Sequence, residues 1–173
     1  MDVPRLDELG GVPDVKVRRA VRDDVPAIRD IYNDAVLTTT ATYDYEPQPL
    51  DQQLAWFGQH VVFVAEAPGG PVVGWSSIGE YRSRPGYQFT VEDSIYIAEG
   101  HRGQGIGTLL MPPIIQAARE LGKRAIVAVI DAESGASLRL HRRFGFEEKG
   151  RLPQIGFKFG RWLDVAYLEL LLA

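Results

Sequence analysis

The feature that most constrains this chain is the continuous run from Glu92 to Leu110, E-D-S-I-Y-I-A-E-G-H-R-G-Q-G-I-G-T-L-L. An extended apolar segment leads into a glycine-rich turn, and a predicted helix follows. The glycines let the backbone turn sharply and approach a ligand closely, so that successive N–H groups point at one anion. The positive end of the following helix adds to this attraction, and Arg102 can add a charge-assisted contact. The run therefore predicts a pyrophosphate cradle, with a glycine-rich turn that binds nothing as the alternative.

Two better-known phosphate loops do not match this run. The spacing Gly103-x-Gly105-x-Gly107 is not the G-x-G-x-x-G of dinucleotide folds, which opens the first strand–helix unit and is followed by an acidic residue about 20 residues on. Here the loop lies past the middle of the chain, and it lacks the Gly-Lys-Ser/Thr ending of a nucleoside-triphosphate loop. Dinucleotides and nucleoside triphosphates are therefore disfavoured as ligands of this loop.

Composition narrows the function classes further. The chain has 173 residues, enough for one domain with a substantial core. Its formal charge of −4 and the absence of a Lys/Arg block argue against a nucleic-acid partner. No apolar run reaches the ~18 residues of a membrane span, and the acidic N-terminus is not a secretory signal. With no cysteine and three isolated histidines, neither a metal site nor a thiol nucleophile is expected, and the cytoplasm is the expected compartment.

Hydrophobic spacing and turn residues predict a mixed α/β order with about seven strands. The predicted helices are Asp24 to Val36, capped by Asp24; Leu50 to Gln59; the helix after the glycine loop, to Leu121; and Ser134 to Phe144, capped by Ser134 and stopped by Gly145. The predicted strands are 16–21, 61–67, 72–81, 88–98, 125–130, 146–152 and 162–172. Residues 125–130 are uniformly apolar and predict a strand buried on both faces. Pro112-Pro113 predicts a kink, not the loss of the helix.

Several segments together resemble one known family. They are I-Y-N-D-A-V (31–36), T-T-A-T-Y (39–43), V-E-D-S-I-Y-I (91–97), R-G-Q-G-I-G (102–107), V-A-V-I-D-A-E (127–133), S-L-R-L-H-R-R-F-G-F (137–146) and G-F-K-F-G-R-W-L-D-V (156–165). This set is similar to the GNAT superfamily of acetyl-CoA-dependent N-acetyltransferases, and most of all to its phosphinothricin and methionine sulfoximine acetyltransferase branch. The resemblance extends from Arg18 to about Leu170, nearly the whole chain.

The resemblance implies a fold and a co-substrate. The expected fold is a mixed, mostly antiparallel twisted sheet of about seven strands flanked by about four helices, in one domain of residues 15–173 after an extension of residues 1–14. The expected co-substrate is acetyl-CoA, with no metal. The implied acetyl-CoA contacts are Ile95, Tyr96 and Ile97 for pantetheine, Arg102, Gly103, Gln104, Gly105, Ile106, Gly107 and Thr108 for pyrophosphate, and Ser134 and Ser137 on the next helix. The family usually has asparagine where this chain has Ser134.

Glu92 is the candidate general base. Strand alternation puts Glu92 with Thr90, Ser94 and Tyr96 on one face, and a carboxylate among apolar neighbours can have its pKa raised toward neutrality. The resemblance places the family's catalytic glutamate here, whereas a solvated carboxylate on a half-exposed strand is the alternative. Asp93 stands where these enzymes often carry histidine.

His141 is the candidate general acid for the leaving thiolate. The phosphinothricin branch resembles this chain in having histidine at a position where many relatives have tyrosine. The alternative is a structural histidine bonded to a neighbouring backbone group. Polarisation of the thioester carbonyl is expected from a backbone N–H near Ile95 to Ile97.

The acceptor site is expected at Arg82, Ser83, Arg84, Asn33, Thr39 and Thr40. A planar guanidinium matches the oxygens of a carboxylate or phosphinate, although a pair of solvated loop arginines is the alternative. Lys158 and Arg161 are expected to reach the site from a partner subunit, since the branch resembles homodimers. The aromatic residues Phe157, Phe159 and Trp162 belong either to the core or to a dimer interface.

These residues predict direct acetyl transfer to the α-amine of a small amino-acid-like acceptor such as phosphinothricin, methionine sulfoximine or methionine sulfone. Without cysteine there is no thiol to carry an acetyl-enzyme. Two other functions remain open: acetylation of another amine, either a protein N-terminus or a polyamine, and acetyl-CoA binding without catalysis.

Overall fold

The computed structural model describes residues 14–172, so the predicted N-terminal extension lies outside the described residues except for Asp14. Within this range the chain forms seven strands and four α-helices. In order they are β1 Lys16–Arg19, α1 Val25–Thr38, α2 Leu50–Phe57, β2 Val61–Glu66, β3 Val72–Glu80, β4 Thr90–Ile97, α3 Ile106–Glu120, β5 Ala125–Asp131, α4 Gly135–Arg143, β6 Glu147–Lys158 and β7 Arg161–Leu171.

The strands form one sheet in the order β1-β2-β3-β4-β5-β7-β6. Every neighbouring pair is antiparallel except β4 and β5, which are parallel. The parallel pairing covers only Thr90–Glu92 against Ala125–Val127, although both strands continue beyond it. The mixed, mostly antiparallel sheet with four helices is thereby confirmed.

Helices cover both faces of this sheet. On one face, Met111, Ile114 and Ile115 of α3 pack with Leu138 of α4 against Ile126 of β5. On the other face, α1 and α2 cover β2 and β3 through a separate apolar cluster that contains Ile28, Ile31, Trp56, Val64 and Trp75. The two layers leave the region around the ends of β4 and β5 for a site.

Helix α3 runs without interruption through Pro112 and Pro113. The prediction that these prolines do not abolish the helix is confirmed, and a kink there stays a prediction. Met111, Ile114 and Ile115 are fully buried beside them. Burial of each such side chain contributes about 1.5–3 kcal/mol, which together offsets a proline cost of about 3 kcal/mol.

Four local predictions are corrected. Ser134 occupies the N-cap position of α4, but its side chain makes no capping hydrogen bond. Asp24 occupies the N-cap position of α1 without capping it; its carboxylate instead accepts hydrogen bonds from the Val21 N–H and the Arg18 guanidinium. Strand β5 is not buried on both faces, because Val129 is 39% exposed where it lines a cleft. Strand β6 does not end at Leu152, since a register shift between Leu152 and Gly156 carries it past Pro153.

None of the helices between residues 14 and 172 is both long enough and apolar enough to cross a membrane.

Candidate active site

A cleft of about 990 Å³ opens where β4 and β5 stop pairing. Its walls include Glu92–Ile97 of β4 and Ala128–Asp131 of β5. The glycine loop closes one side, α4 lies below, and the loop at 39–44 lies above. The cleft therefore joins the positions predicted to bind pantetheine and pyrophosphate with Thr39 and Thr40 of the predicted acceptor residues.

Glu92 is the last residue of the parallel ladder, opposite Val127, so its side chain stands at the point where the two strands separate. The side chain is half-buried and lines the cleft. Burial raises the pKa of Glu92, the nearby charge of Arg82 lowers it in part, and the charge of Asp93 raises it further. This environment suits a carboxylate that exchanges a proton with a ligand.

His141 lies on α4 on the other face of the sheet and is only 4% exposed. Its Nε2 is 2.9 Å from Oδ2 of Asp93, and its Nδ1 is 2.8 Å from the carbonyl oxygen of Ser137. Burial alone would lower the pKa of His141, but the charge of Asp93, the hydrogen bond to Asp93 and the Ser137 carbonyl together raise it. Sequence reasoning placed His141 at the site but did not identify Asp93 as its partner.

The backbone of β4 directs hydrogen-bond donors into the gap that opens between β4 and β5 beyond Glu92. The Ala98 N–H donates to Val73 of β3, whereas the carbonyl of Phe89 accepts from Arg124 on the β5 side. Because backbone groups alternate in direction along a strand, the odd-numbered residues direct their N–H and C=O groups toward β5. The N–H of Ile95 therefore faces the gap beyond the last paired residue, in the stretch predicted to polarise a thioester carbonyl.

The glycine loop has the backbone shape that its sequence predicts. Gly103 and Gly105 have φ angles of 75° and 84°, in the left-handed region that favours glycine. A side chain at Gly107 would have its Cβ 2.9 Å from a methyl group of Leu140, so α3 approaches α4 closely there. The first turn of α3 carries no acidic residue, which leaves its positive end available to an anion.

Arg102 extends across the opening of this loop. Its Nη2 lies 3.1 Å from a carboxylate oxygen of Asp34 on α1, and its Nε donates to the carbonyl of Ile97 at 3.1 Å. Both charged side chains are more than a third exposed. The guanidinium is thus held at the cleft by a contact that solvent and ions can reach.

Most of the predicted site residues are brought together. Those that line the cleft are Glu92, His141, Ile95, Tyr96, Ile97, Arg102, Gly103, Gly105, Gly107, Thr108, Ser134, Ser137, Thr39 and Thr40. Those outside the lining are Gln104, Ile106, Arg82, Ser83, Arg84 and Asn33. Among the latter, Ile106 is buried in an apolar cluster, and Gln104 donates to the Gly100 carbonyl.

The predicted acceptor residues have distinct positions. Thr40 donates a hydrogen bond to Asp131 across the cleft. Asn33 uses its amide to hold the backbone of Gln48, at 2.7 and 3.0 Å. Arg82 stacks on Tyr81, with its guanidinium 4.5 Å from the ring centre, and its charge acts on Glu92.

Lys158 and Arg161 were expected from a partner subunit, but both have contacts at the site of their own chain. Lys158 is 3% exposed and donates to the carbonyl of Thr42 at 2.7 Å, and burial lowers its pKa. Arg161 lines the cleft and pairs with Glu133 at 2.6 Å. The neighbouring Phe157 and Trp162 are 43% and 62% exposed, so the core alternative is wrong for them.

An aromatic end of the cleft was not predicted. Trp75 stacks on Tyr96 at 4.8 Å between ring centres, and Trp56 and Tyr32 meet Trp75 at 5.2 and 6.4 Å. Gln53 of α2 also lines this end and is 5% exposed. The register of Trp75 opposite Tyr96 creates the cluster, and a sequence pattern does not specify which residues of two strands face each other.

Within residues 14–172, no group of three or more histidine, cysteine, aspartate or glutamate side chains is arranged to hold a metal ion.

Comparison with known proteins gives a consistent result. Residues 26–146 match the model of the acetyltransferase (GNAT) family. The chain is 42% identical over 159 residues to the L-methionine sulfoximine/L-methionine sulfone acetyltransferase of Pseudomonas paraeruginosa, covering 89% of this chain and 92% of that protein. It is 34% identical over 166 residues to the phosphinothricin N-acetyltransferase of Streptomyces coelicolor, covering 92% and 97%.

A solved structure agrees with this result. The acetyltransferase yncA of Salmonella typhimurium, described as putative and determined with acetyl-CoA, superposes with a TM-score of 0.88 at 40% identity, covering 92% of this chain and 95% of that one. The segment that matches the family model includes the strand, glycine loop and helix on which the cleft is built. The chain therefore belongs to the GNAT acetyltransferase family and is an N-acetyltransferase that takes its acetyl group from acetyl-CoA.

Proposed function

We propose that this enzyme acetylates the α-amine of a small amino-acid-like acceptor of the methionine sulfone, methionine sulfoximine or phosphinothricin class. The amine nitrogen attacks the thioester carbonyl directly in a ternary complex. A C–N bond forms, the C–S bond breaks, and the products are an N-acetyl amino acid and the thiol of coenzyme A. The observation that carries the proposal is the position of Glu92, half-buried at the point where β4 and β5 separate.

Glu92 is the proposed base. An amine is a nucleophile only after it loses its proton, and a carboxylate whose pKa is raised by burial is a better proton acceptor at neutral pH than a solvated one. The Ile95 N–H is the proposed donor to the oxyanion that forms at the thioester carbonyl oxygen when the amine attacks. His141 is the proposed source of positive charge and of a proton for the thiolate.

The acceptor class is supported by charge and shape near Glu92. Arg82 is close enough to Glu92 for its charge to act on that carboxylate, and its guanidinium suits the carboxylate of an amino acid. The aromatic end of the cleft, made by Tyr32, Trp56 and Trp75, suits an uncharged or weakly polar side chain. The names of the relatives from Pseudomonas paraeruginosa and Streptomyces coelicolor point to the same class of acceptor.

A homodimer is part of the proposal. Phe157, Phe159 and Trp162 are exposed on the β6–β7 hairpin next to Tyr45, which is 61% exposed. Tyr45 donates to the Phe157 carbonyl, so this aromatic surface adjoins the loop above the cleft. Contiguous exposed aromatic surface is typical of protein interfaces.

The proposed role of Glu92 as general base is tested with the variant Glu92→Gln. The variant Glu99→Gln, at an exposed position, is the matched control. The Glu92→Gln variant should lose about 10²- to 10⁴-fold in kcat while its Kd for acetyl-CoA stays within about twofold, since the amide keeps the shape but accepts no proton. The Glu99→Gln variant should retain full turnover. Equal turnover in the two variants would remove Glu92 as the base.

A further inference from the structure

Asp93 and His141 form a buried pair at the bottom of the cleft. The side chain of Asp93 is 1% exposed and that of His141 is 6% exposed, and Nε2 and Oδ2 are 2.9 Å apart. The two residues are 48 positions apart in the chain, and both line the cleft beside the separation of β4 and β5. The pair thus lies next to the expected place of the leaving thiolate.

The hydrogen-bond partners of the His141 imidazole determine whether one or both of its ring nitrogens carry a proton. The carbonyl oxygen of Ser137, 2.8 Å from Nδ1, can only accept a hydrogen bond. An ionised carboxylate at Nε2 can also only accept. Both ring nitrogens must then donate, which requires the imidazolium form.

Among the described residues, the carboxylate of Asp93 contacts the imidazole ring of His141. Besides Asp93 on β4 and the Ser137 carbonyl, His141 contacts the Ser137 hydroxyl, 3.4 Å from Nδ1, and the ring of Phe146, edge-on with centres 5.0 Å apart. The second oxygen of Asp93, Oδ1, is buried and has no hydrogen-bond partner among the described residues. The carboxylate therefore relies on the histidine for neutralisation.

We propose, on the basis of the proposed function, that Asp93 is a positioning residue that holds His141 as an immobile imidazolium at neutral pH. The Nε2 proton is directed at Asp93 and the Nδ1 proton at the Ser137 carbonyl, so the ring is held in one orientation. A proton passes to the thiolate only as one of these N–H bonds breaks and the imidazole becomes neutral. Asp93 also acts on Glu92, whose carboxylate lies on the opposite face of the same strand. The charge of Asp93 raises the pKa of both groups, although burial and Arg82 have larger effects on Glu92.

The first test is the ¹⁵N spectrum of the histidine side chains in the wild-type enzyme. The signals of the other two histidines, His60 and His101, are assigned with His60→Gln and His101→Gln. We expect both ring nitrogens of His141 to be protonated at pH 7, with a titration midpoint above the usual 6.5. A single protonated nitrogen at pH 7, as in a neutral imidazole facing a protonated Asp93, would overturn the proposal.

The second test is Asp93→Asn, with the exposed Asp30→Asn as control. Loss of the charge should lower the midpoint of His141 and move the alkaline limb of the kcat/KM profile down by about one pH unit or more. The acid limb of the kcat/KM profile, which reports the pKa of Glu92, should also move to lower pH. Asp93→Glu, which retains the charge, and the Asp30→Asn variant should keep both limbs. An unchanged profile together with an unchanged midpoint would refute the role of Asp93.

The two proposals fail in different ways. Amino-acid acetylation by an enzyme with neutral His141 refutes this inference alone. A doubly protonated His141 in an enzyme that acetylates no amino-acid analogue refutes the proposed function and, with it, the catalytic part of this inference. If the Asp93→Asn variant does not fold, the wild-type spectrum still decides the protonation state.

Discussion

Glu92 and Asp93 are consecutive on β4, and their carboxylates lie on opposite faces of the sheet. Asp93 contacts α4 through His141, whereas Glu92 lies on the face covered by α1 and α2. A single strand therefore supplies two carboxylates in different environments. Asp93 is hydrogen-bonded to a histidine, and Glu92 has no hydrogen-bonding cation in contact among the described residues. In the proposed mechanism this division separates the carboxylate that positions His141 from the carboxylate that exchanges a proton with the amine.

Arg82 and Arg84 should not contribute equally to acceptor binding. Both arginines are exposed on the loop, and the charge of Arg82 acts on Glu92. Arg82→Ala should raise the KM for methionine sulfone about tenfold, which is about 1.4 kcal/mol, and leave the KM for acetyl-CoA unchanged. Steady-state kinetics with both substrates varied would measure this. A larger effect from Arg84→Ala would contradict the assignment of the acceptor carboxylate to Arg82.

The same substitution has a second consequence for pH dependence. Arg82 holds the pKa of Glu92 down against burial. Removal of Arg82 should raise that pKa further, so that the active, deprotonated form of Glu92 appears only at higher pH. The acid limb of kcat/KM should shift upward in Arg82→Ala, which is the opposite direction to the shift expected for Asp93→Asn.

Gly105→Val should weaken acetyl-CoA binding. Gly105 has φ of 84°, and a side chain there costs about 1–2 kcal/mol through the left-handed backbone, although no heavy atom lies within 4 Å of the added Cβ. A relaxed backbone would turn the loop N–H groups away from the pyrophosphate. Calorimetry should show at least about a tenfold rise in Kd, against no change for Gly100→Ala, whose added Cβ also meets no atom within 4 Å. Unchanged binding in the Gly105→Val variant would refute the placement of the pyrophosphate.

Asp34→Asn should strengthen acetyl-CoA binding. Asp34 occupies one face of the Arg102 guanidinium at 3.1 Å, and an incoming pyrophosphate would compete with it. Exposed pairs of this kind contribute at most about 1 kcal/mol, so the KM for acetyl-CoA should fall about two- to fivefold, and less in high salt. Asp51→Asn, on the exposed side of α2, is the control. A higher KM would mean that Asp34 holds Arg102 in its binding position and does not compete for it.

Asp24→Asn should destabilise the fold and leave the site intact. The Arg18 hydrogen bond lowers the pKa of Asp24 against the effect of burial, and the Val21 N–H lowers it further. A hydrogen bond to a charged group contributes about 1.5–3 kcal/mol, so the free energy of unfolding at pH 7 should fall by about 2 kcal/mol. Asp23→Asn, at the exposed neighbouring position, should change it little.

The sign of the pH effect follows from the lowered pKa of Asp24. Its contribution is fully present above the ordinary value of 3.8 and is lost as the pH falls through the lower folded value. The difference in stability between wild type and Asp24→Asn should therefore be full at pH 7 and shrink on acidification below 3.8. Denaturant titrations at several pH values would measure it, and a difference independent of pH would contradict the ion-pair explanation.

The sequence specified the local parts of the site well. The strand, loop and helix from 90 to 120 are contiguous, so alternation, glycine spacing and helical periodicity together predict their order and the face on which Glu92 lies. The hairpin formed by β2 and β3 follows from Pro68-Gly69-Gly70-Pro71 for the same reason.

The parts that sequence reasoning missed depend on non-local contacts. The parallel pairing of β4 ends at Glu92 because β5 diverges there, and no pattern within β4 signals it. The pairing of Asp93 with His141 and the register of Trp75 opposite Tyr96 join residues from separate elements. Strand β6 continues past its predicted end at Leu152 because an irregularity in its pairing with β7 accommodates Pro153.

The most direct test is thiol release from acetyl-CoA at neutral pH against a panel of amines. The panel contains methionine sulfone, methionine sulfoximine, phosphinothricin, ordinary amino acids, spermidine and short peptides, with Glu92→Gln as the negative control. We predict saturable release with the amino-acid analogues and an α-N-acetyl product by mass spectrometry. Turnover with spermidine or peptides alone, or acetyl-CoA binding without turnover of any amine, would contradict the account.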